Sequence, residues 1–284
     1  MLRRRAFLPA GASAKVGLAF VLSLMLAGGA YAQRFGFREG SFATRYAPAS
    51  MPDSAFVVCR LQYRQVRSEA SGIGWQTDYP FAEINLTTRL SELTKTLVSR
   101  DADAYPNHYV VQIRQDQLFN CPFLLASDAG TLAFSDQEVE RLREYLLKGG
   151  FFWVDDFWGT EAWEHWAEQI SLVLPPSEYP IEDVAIGDPM LHSMFQVTEV
   201  PQITSIQFWV REGRSTTSER GADSDEVHLR AIRDKSGRIV VLMTHNTDVA
   251  DSWEREGEDP DFFYQFSPKG YALGIDVLLH AMTH

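Results

Sequence analysis

The sequence predicts an α/β domain: a mostly parallel sheet with helices on both faces, arranged in three layers. Three observations carry this expectation. Ser135–Ile170 reads as helix, stop, strand, acidic turn and second helix. Phe151–Val154 and Phe123–Ser127 are apolar runs without alternation, the pattern of strands covered on both faces. Such runs alternate along the chain with stretches of helical periodicity, the element order of a parallel sheet.

The central unit is the most explicit. Ser135 followed three residues later by Glu138 is a capping box, in which each side chain satisfies a free backbone N–H. Val139, Leu142, Tyr145 and Leu146 then mark one apolar helical face. Gly149 and Gly150 stop the helix, because glycine adopts the left-handed conformation that a helix end needs. The strand Phe151–Val154 ends on Asp155-Asp156, and a helix over Thr160–Ile170 follows, with Trp163, Trp166 and Ile170 spaced as core residues and His165 facing solvent.

Upstream, Ala55–Tyr63 is the first strand and Val66–Pro80 a polar loop. A helix is expected over Ile84–Val98, with Leu86, Leu90, Leu93 and Leu97 on one face. His108–Ile113 is a short strand, and Cys121-Pro122 leads into the strand Phe123–Ser127. Downstream, the proline-rich Leu174–Val210 has no clear pattern. Val227–Asp234 and Arg238–Thr244 flank Lys235-Ser236-Gly237 as a β-hairpin inserted towards the C-terminus. Asn246–Lys269 reads as a long loop and Tyr271–Met282 as a buried helix; the loop acids between Asp251 and Asp261 lack the spacing of a calcium hand, so solvation is expected, with calcium binding the alternative.

The chain divides into residues 1–32, an export signal, 33–54, an extended and weakly ordered lead-in, and 55–284, one α/β domain. Arg3-Arg4-Arg5 precedes the apolar stretch Val16–Leu26 and an Ala30-Tyr31-Ala32 site, the order of a secretory signal. Arg4-Arg5-Ala6-Phe7-Leu8 is similar to a twin-arginine signal. The apolar stretch falls short of the ~20 residues of a bilayer span. With the signal removed, 22 basic residues face 38 acidic ones, a balance of −16. That argues against binding nucleic acid or anionic membrane through bulk charge. A soluble exported protein, periplasmic or extracellular, follows. Cys59 and Cys121 are the only cysteines. Cys59 lies within a strand, so buried free thiols are expected, with a disulfide as the alternative that an oxidising compartment would allow.

Loops after parallel strands converge on one edge of the sheet, so Asp155 and Asp156 are expected beside His245, Asn246 and Asp248. Two carboxylates and an imidazole there would bind a divalent cation or act as acid and base. Asp155, Asp156 and His245 are the catalytic candidates, and the same three with Asp248 are the metal candidates. Asp78, Trp75, Trp158, Asn246, Asp248 and Trp253 are the ligand-binding candidates. The competing reading makes Asp155 or Asp156 a helix cap and the tryptophans plugs of the domain. No cofactor is evident beyond a divalent cation. No Gly-x-Ser-x-Gly or Gly-x-Cys-x-Gly elbow occurs, so serine-hydrolase and thiol amidotransferase chemistry lack support.

Trp75-x-x-Asp78-Tyr79-Pro80, Pro122-Phe123, the run from Gly149-Gly150-Phe151 to Asp155-Asp156-Phe157, and Thr244-His245-Asn246 with Asp248 form a set of separated motifs. Through them, from about Ala55 to His284, the chain resembles an uncharacterised bacterial family, domain-of-unknown-function family 4159. The resemblance implies a three-layer fold similar to class I glutamine amidotransferases, trehalose-utilisation-type domains and flavodoxin-like proteins, with no established activity. It also implies companionship with AAA ATPase and von Willebrand-type modules in bacterial envelope systems. The expected function is a binding module whose cleft, at the carboxyl edge of the sheet, takes an envelope protein or a glycan. The alternative is a metal-assisted or acid–base hydrolase using Asp155, Asp156 and His245.

Overall fold

A computed structural model describes residues 43–70 and 72–284. The expected signal, and the part of the lead-in before residue 43, lie outside the described residues. Among the described residues there are nine strands and six α-helices. Short strands β1 (Val58–Leu61) and β2 (Arg64–Gln65) precede helix α1 (Phe81–Leu93). β3 (His108–Val111), β4 (Phe123–Ala126) and β5 (Leu132–Ala133) lead to α2 (Asp136–Leu147), β6 (Phe151–Val154) and α3 (Gly159–Val173). Then come β7 (Ile181–Asp183), α4 (Ile206–Arg211), β8 (His228–Arg233), β9 (Ile239–His245), α5 (Asp251–Glu254) and α6 (Pro260–Thr283).

The main sheet has seven strands in the order β3-β1-β4-β6-β9-β8-β7. β3, β1, β4, β6 and β9 run parallel, while β8 pairs antiparallel with both β9 and β7. The expected hairpin is therefore β8–β9, and it lies within the main sheet, with β9 completing the parallel set beside β6. Its turn is fixed by Asp234, whose Oδ1 accepts from the amides of Ser236 and Arg238, with Gly237 at φ +88°. The lead-in is tied down where it is described: Tyr46 bridges Val110 on the outer edge of β3.

Strand parity divides the core in two. Phe151 and Trp153 of β6 join one cluster with Leu86 and Leu90 of α1, Trp253 of α5 and Phe262 and Leu273 of α6. Phe152 and Val154 join the other, with Leu142 and Leu146 of α2 and Trp166 and Ile170 of α3. Side chains of successive strand residues point to opposite faces, so one apolar run supplies both layers. The capping box of Ser135 and Glu138 is present at the start of α2.

Several expectations need correction. Cys59 and Cys121 are joined in a disulfide rather than free, with Cα atoms 5.9 Å apart. Cys59 is fully buried within β1, but the turn before β4 brings Cys121 against it. The first long helix ends at Leu93, because Thr94 turns extended and its hydroxyl donates to the Leu90 carbonyl. Leu97 is consequently exposed, and Val98 pairs with Phe56 instead. His165 is half-buried, its Nε2 on the Leu132 carbonyl at 2.6 Å. The segment expected as one long loop holds α5 and the first turns of α6, which Asp259 caps through the amides of Asp261 and Phe262.

Candidate functional site

Four polar residues take left-handed backbone conformations at or beside the carboxyl ends of the parallel strands: Asp78 (φ 65°), Asp128 (φ 53°), Asp156 (φ 53°) and Asn246 (φ 61°). Asp and Asn tolerate that conformation better than other side-chain-bearing residues, yet it still carries a cost. Asp128 follows β4, Asp156 follows β6 and Asn246 follows β9. Asp78 arrives from the long loop before α1. Tight turns at these positions carry acidic side chains back over the ends of the strands.

On the face covered by α1, α5 and α6 the acids gather. Asp78, Asp251 and Glu254 each offer a carboxylate oxygen, and these oxygens lie within 4.8 Å of one another. Asp78 and Asp251 are buried and Glu254 is half-buried. Asp155 is fully buried beside them: Oδ1 accepts from the Thr244 hydroxyl at 2.5 Å and Oδ2 from the Ala250 amide at 2.8 Å. Asp248 Oδ1 accepts from the Asp251 amide at 2.9 Å, and Asp251 Oδ2 from the first amide of α4, that of Ile206, also at 2.9 Å. Small residues of α6 let α5 sit this close. A Cβ on Gly274 would fall 2.6 Å from the Trp253 ring, and one on Gly270 would run into Ser252.

Positive charge here is limited. Arg60, fully buried in β1, donates from Nε to Glu83 at 2.5 Å and from Nη1 to the Ser127 hydroxyl at 2.8 Å. Ser127 in turn donates to Asp78. Arg255 pairs with Glu254 at 3.1 Å and Asp251 at 3.5 Å. The remaining excess of carboxylates shows in their protonation. Burial pushes Asp78 up to about 6, with Arg60 pulling against it. Burial likewise raises Asp155 to about 7, Asp128 to about 7 and Glu254 to about 8. Asp156, Asp248 and Asp251 are raised well above the carboxylate range, first by burial and then by the neighbouring acids. These groups cannot all ionise together unless a cation joins them.

His245 belongs to a different group. Thr244 points to the acidic face, so His245 points to the other, where its ring lies 5.1 Å from Phe157, 5.3 Å from Trp163 and 5.5 Å from His228. The Arg230 guanidinium sits 4.1 Å over Trp163. His245 Nε2 faces the Gly159 carbonyl at 3.1 Å. Burial, aided by His228 and Arg230, lowers its pKa to about 4. The two strand ends reach one edge, as expected. The carboxylate of Asp155 and the imidazole of His245 leave that edge on opposite sides of the sheet.

The other expected residues separate into neighbours of the acids and structural groups. Asp156 is half-buried and accepts from Trp158 Nε1 at 2.9 Å. Trp75 is half-buried and packs on Tyr79. Asn246 is a staple: its Oδ1 accepts from the Gly159 amide at 2.8 Å, and its own amide donates to the Phe157 carbonyl at 3.0 Å. Trp253 is fully buried, edge-on to Trp153, and plugs the domain rather than facing a ligand. Neither Asp155 nor Asp156 caps α3. That role falls to Asp223, which accepts from the Thr160 amide and hydroxyl at 2.9 and 2.6 Å.

Asp251 and Glu254, expected among the solvated acids of the loop, are buried and half-buried instead, and Asp128 was not among the candidates. The signal for Asp251 and Glu254 was their spacing beside Trp253, a large apolar residue that makes a short amphipathic helix bury its neighbours. The chain belongs to the family described as Domain of unknown function (DUF4159), whose match spans residues 58–282. No curated protein matches the chain.

Proposed function

We propose that the protein is an exported binding module that holds a divalent cation at the carboxyl edge of its sheet and presents it to an oxygen-bearing partner, an envelope protein or a glycan. The observation that carries this reading is the convergence of Asp78, Asp251 and Glu254 within 4.8 Å, under the added charge of Asp155, Asp156 and Asp248. An all-carboxylate donor set suits Mg²⁺, Ca²⁺ or Mn²⁺ rather than a thiophilic ion. The half-buried Asp156, held by Nε1 of the buried Trp158, and the half-buried Trp75 in the neighbouring loop supply polar and aromatic surface for a partner.

Export is supported by the signal-like N-terminus and by the Cys59–Cys121 disulfide, a bond favoured outside the cytoplasm. No described helix is long and apolar enough to cross a membrane. Because both cysteines are bonded, neither offers a thiolate for amidotransferase-type chemistry.

The hydrolase reading keeps one supporting observation, the raised protonation of Asp155 and Glu254 near neutral pH, which suits acid–base work. A metal-assisted version would draw on the carboxylates alone, since His245 lies among the aromatic residues of the opposite face.

Equilibrium dialysis of chelator-treated protein against Mg²⁺, Ca²⁺ and Mn²⁺ tests the proposal. One of these ions should bind stoichiometrically to the parent chain and to His245→Gln. Binding should be lost in Asp251→Asn and in Glu254→Gln. Equal binding by all four proteins, or by none, would refute the assignment.

A further inference from the structure

Two buried hydroxyls stand between the core and the acids of the carboxyl edge. Ser127 follows β4 and Thr244 is the last residue but one of β9, the two strands that flank β6. Both side chains are fully buried. Each hydroxyl meets one N–H donor from the core and one carboxylate of the acidic group. Ser127 Oγ lies 2.8 Å from Arg60 Nη1 and contacts Asp78 Oδ2. Thr244 Oγ1 lies 2.9 Å from Trp153 Nε1 and 2.5 Å from Asp155 Oδ1. Two separate strands thus bring the same three-part arrangement to one cluster of acids.

The chemistry of the donors fixes the direction of both chains. A guanidinium and an indole N–H can only donate, so each hydroxyl accepts from its core partner. A hydroxyl has one proton, which is then left for the acid. At Thr244 the Val154 carbonyl also lies within reach, but at 3.2 Å it is farther than Asp155. The core donors are themselves held in place. Arg60 is pinned through Nε to Glu83 at 2.5 Å, and Trp153 lies edge-on to the rings of Phe123 and Trp253. The Tyr63 hydroxyl, 2.9 Å from the carbonyls of both Ser127 and Asp128, holds the turn after β4. Both hydroxyls are therefore oriented before any ion arrives.

We propose that Ser127 and Thr244 are positioning residues of the cation site. Their hydroxyls fix the carboxylate of Asp78, one of its three ligands, and that of Asp155 beside it, and Arg60 and Trp153 set the direction of both hydroxyl protons. Both roles rest on the cation reading of the acidic group and identify what sets its affinity. A carboxylate that ligates a metal ion is oriented by the hydrogen bonds it accepts, and loss of such a partner typically costs about 10–100-fold in affinity. Asp78 has Asp251 and Glu254 within 4.8 Å, so a hydroxyl that holds it acts directly on the ligand set. Asp155 contributes charge from the side, with its other oxygen on the Ala250 amide at 2.8 Å, so Thr244 acts less strongly.

The test is calorimetric titration of Mg²⁺, Ca²⁺ and Mn²⁺ in turn into chelator-treated full chain, with denaturant unfolding of the same proteins. Ser127→Ala should weaken binding of the preferred ion by about tenfold or more. Thr244→Val keeps the shape of threonine and lacks the hydroxyl, and should weaken binding by a smaller factor. Thr244→Ser keeps the hydroxyl and loses a buried methyl, so it should bind like the parent while unfolding more easily. A merely structural role would instead make Thr244→Ser bind no better than Thr244→Val. The Thr244 pair adds no volume to the core, and it decides the matter even if Ser127→Ala fails to fold. Parental affinity in Ser127→Ala and Thr244→Val, or equal loss in both Thr244 variants, would overturn the positioning roles and leave the cation site standing. A parent chain that binds none of the three ions would overturn the cation reading and these roles with it.

Discussion

Thr244 and His245 are adjacent in one strand, yet they serve opposite chemistries. Thr244 donates to Asp155 on the face of α1, α5 and α6, where carboxylates crowd. His245 stacks among Phe157, Trp163 and His228 on the face of α2 and α3, where Arg230 supplies positive charge. Sharing a sheet edge brings chain segments together, but strand parity decides which side chains meet. The acidic face is costly to fold, and a cation bound there would relieve that cost. The aromatic face is closed by packing, and the Cys59–Cys121 disulfide lies in its apolar cluster.

The largest effect that separates the faces should come from that disulfide. A Cys59→Ser, Cys121→Ser double variant should lose about 2–5 kcal/mol in denaturant unfolding, because the bond closes a long loop. Its cation affinity should stay near parental, since neither sulfur touches the acids. A large loss of cation binding in the folded variant would break the separation.

Asp155 should show a smaller cost on the other face. Both of its oxygens accept, from the Thr244 hydroxyl and the Ala250 amide. Asparagine would turn an N–H₂ towards one of those donors, costing about 1–3 kcal/mol in the cation-free protein. If Asp155 were only a helix cap, asparagine would replace it at almost no cost. An unchanged unfolding midpoint would therefore count against its place in the acidic group.

The smallest and most diagnostic effect is a pH dependence of opposite sign on the two faces. Asp155 at about 7 and Glu254 at about 8 lie above ordinary carboxylates, so the folded chain holds protons that the unfolded chain has released. Stability from this face should fall as pH rises from about 4 towards 8, and saturating divalent cation should flatten the fall. His245, lowered to about 4, does the reverse: the unfolded chain binds its proton first, so stability rises between about 4 and 6.5. Melting temperatures of the parent and His245→Gln over this range separate the two contributions. The variant should lose the rising part and keep the fall. A cation-free parent that grows steadily more stable up to pH 8 would contradict the acidic-face account.

Much of the fold was legible in the sequence. The capping box at Ser135, the Gly149-Gly150 stop and the apolar run Phe151–Val154 each encode local structure, and the structure contains all three features. The convergence of Asp155 with the β9 end was legible too, because it follows from parallel topology. What stayed hidden depends on packing. Helix α5 is four residues long, and only the fit of Trp253 and Ser252 against Gly274 and Gly270 shows that its acids turn inward. The disulfide joins residues 62 apart in sequence, a separation that no spacing rule connects. Strand β7 is too short and too polar to give a periodic signal, with the sequence Ile181-Glu182-Asp183.

The central claim, that the acidic face holds a cation and the histidine face does not, is tested most directly by crystals grown with Mn²⁺ and measured for anomalous scattering. The account predicts a peak among the carboxylates of Asp78, Asp251 and Glu254, and no peak beside His245. A carboxyl edge without anomalous density at saturating Mn²⁺, or a peak coordinated by His245, would contradict it.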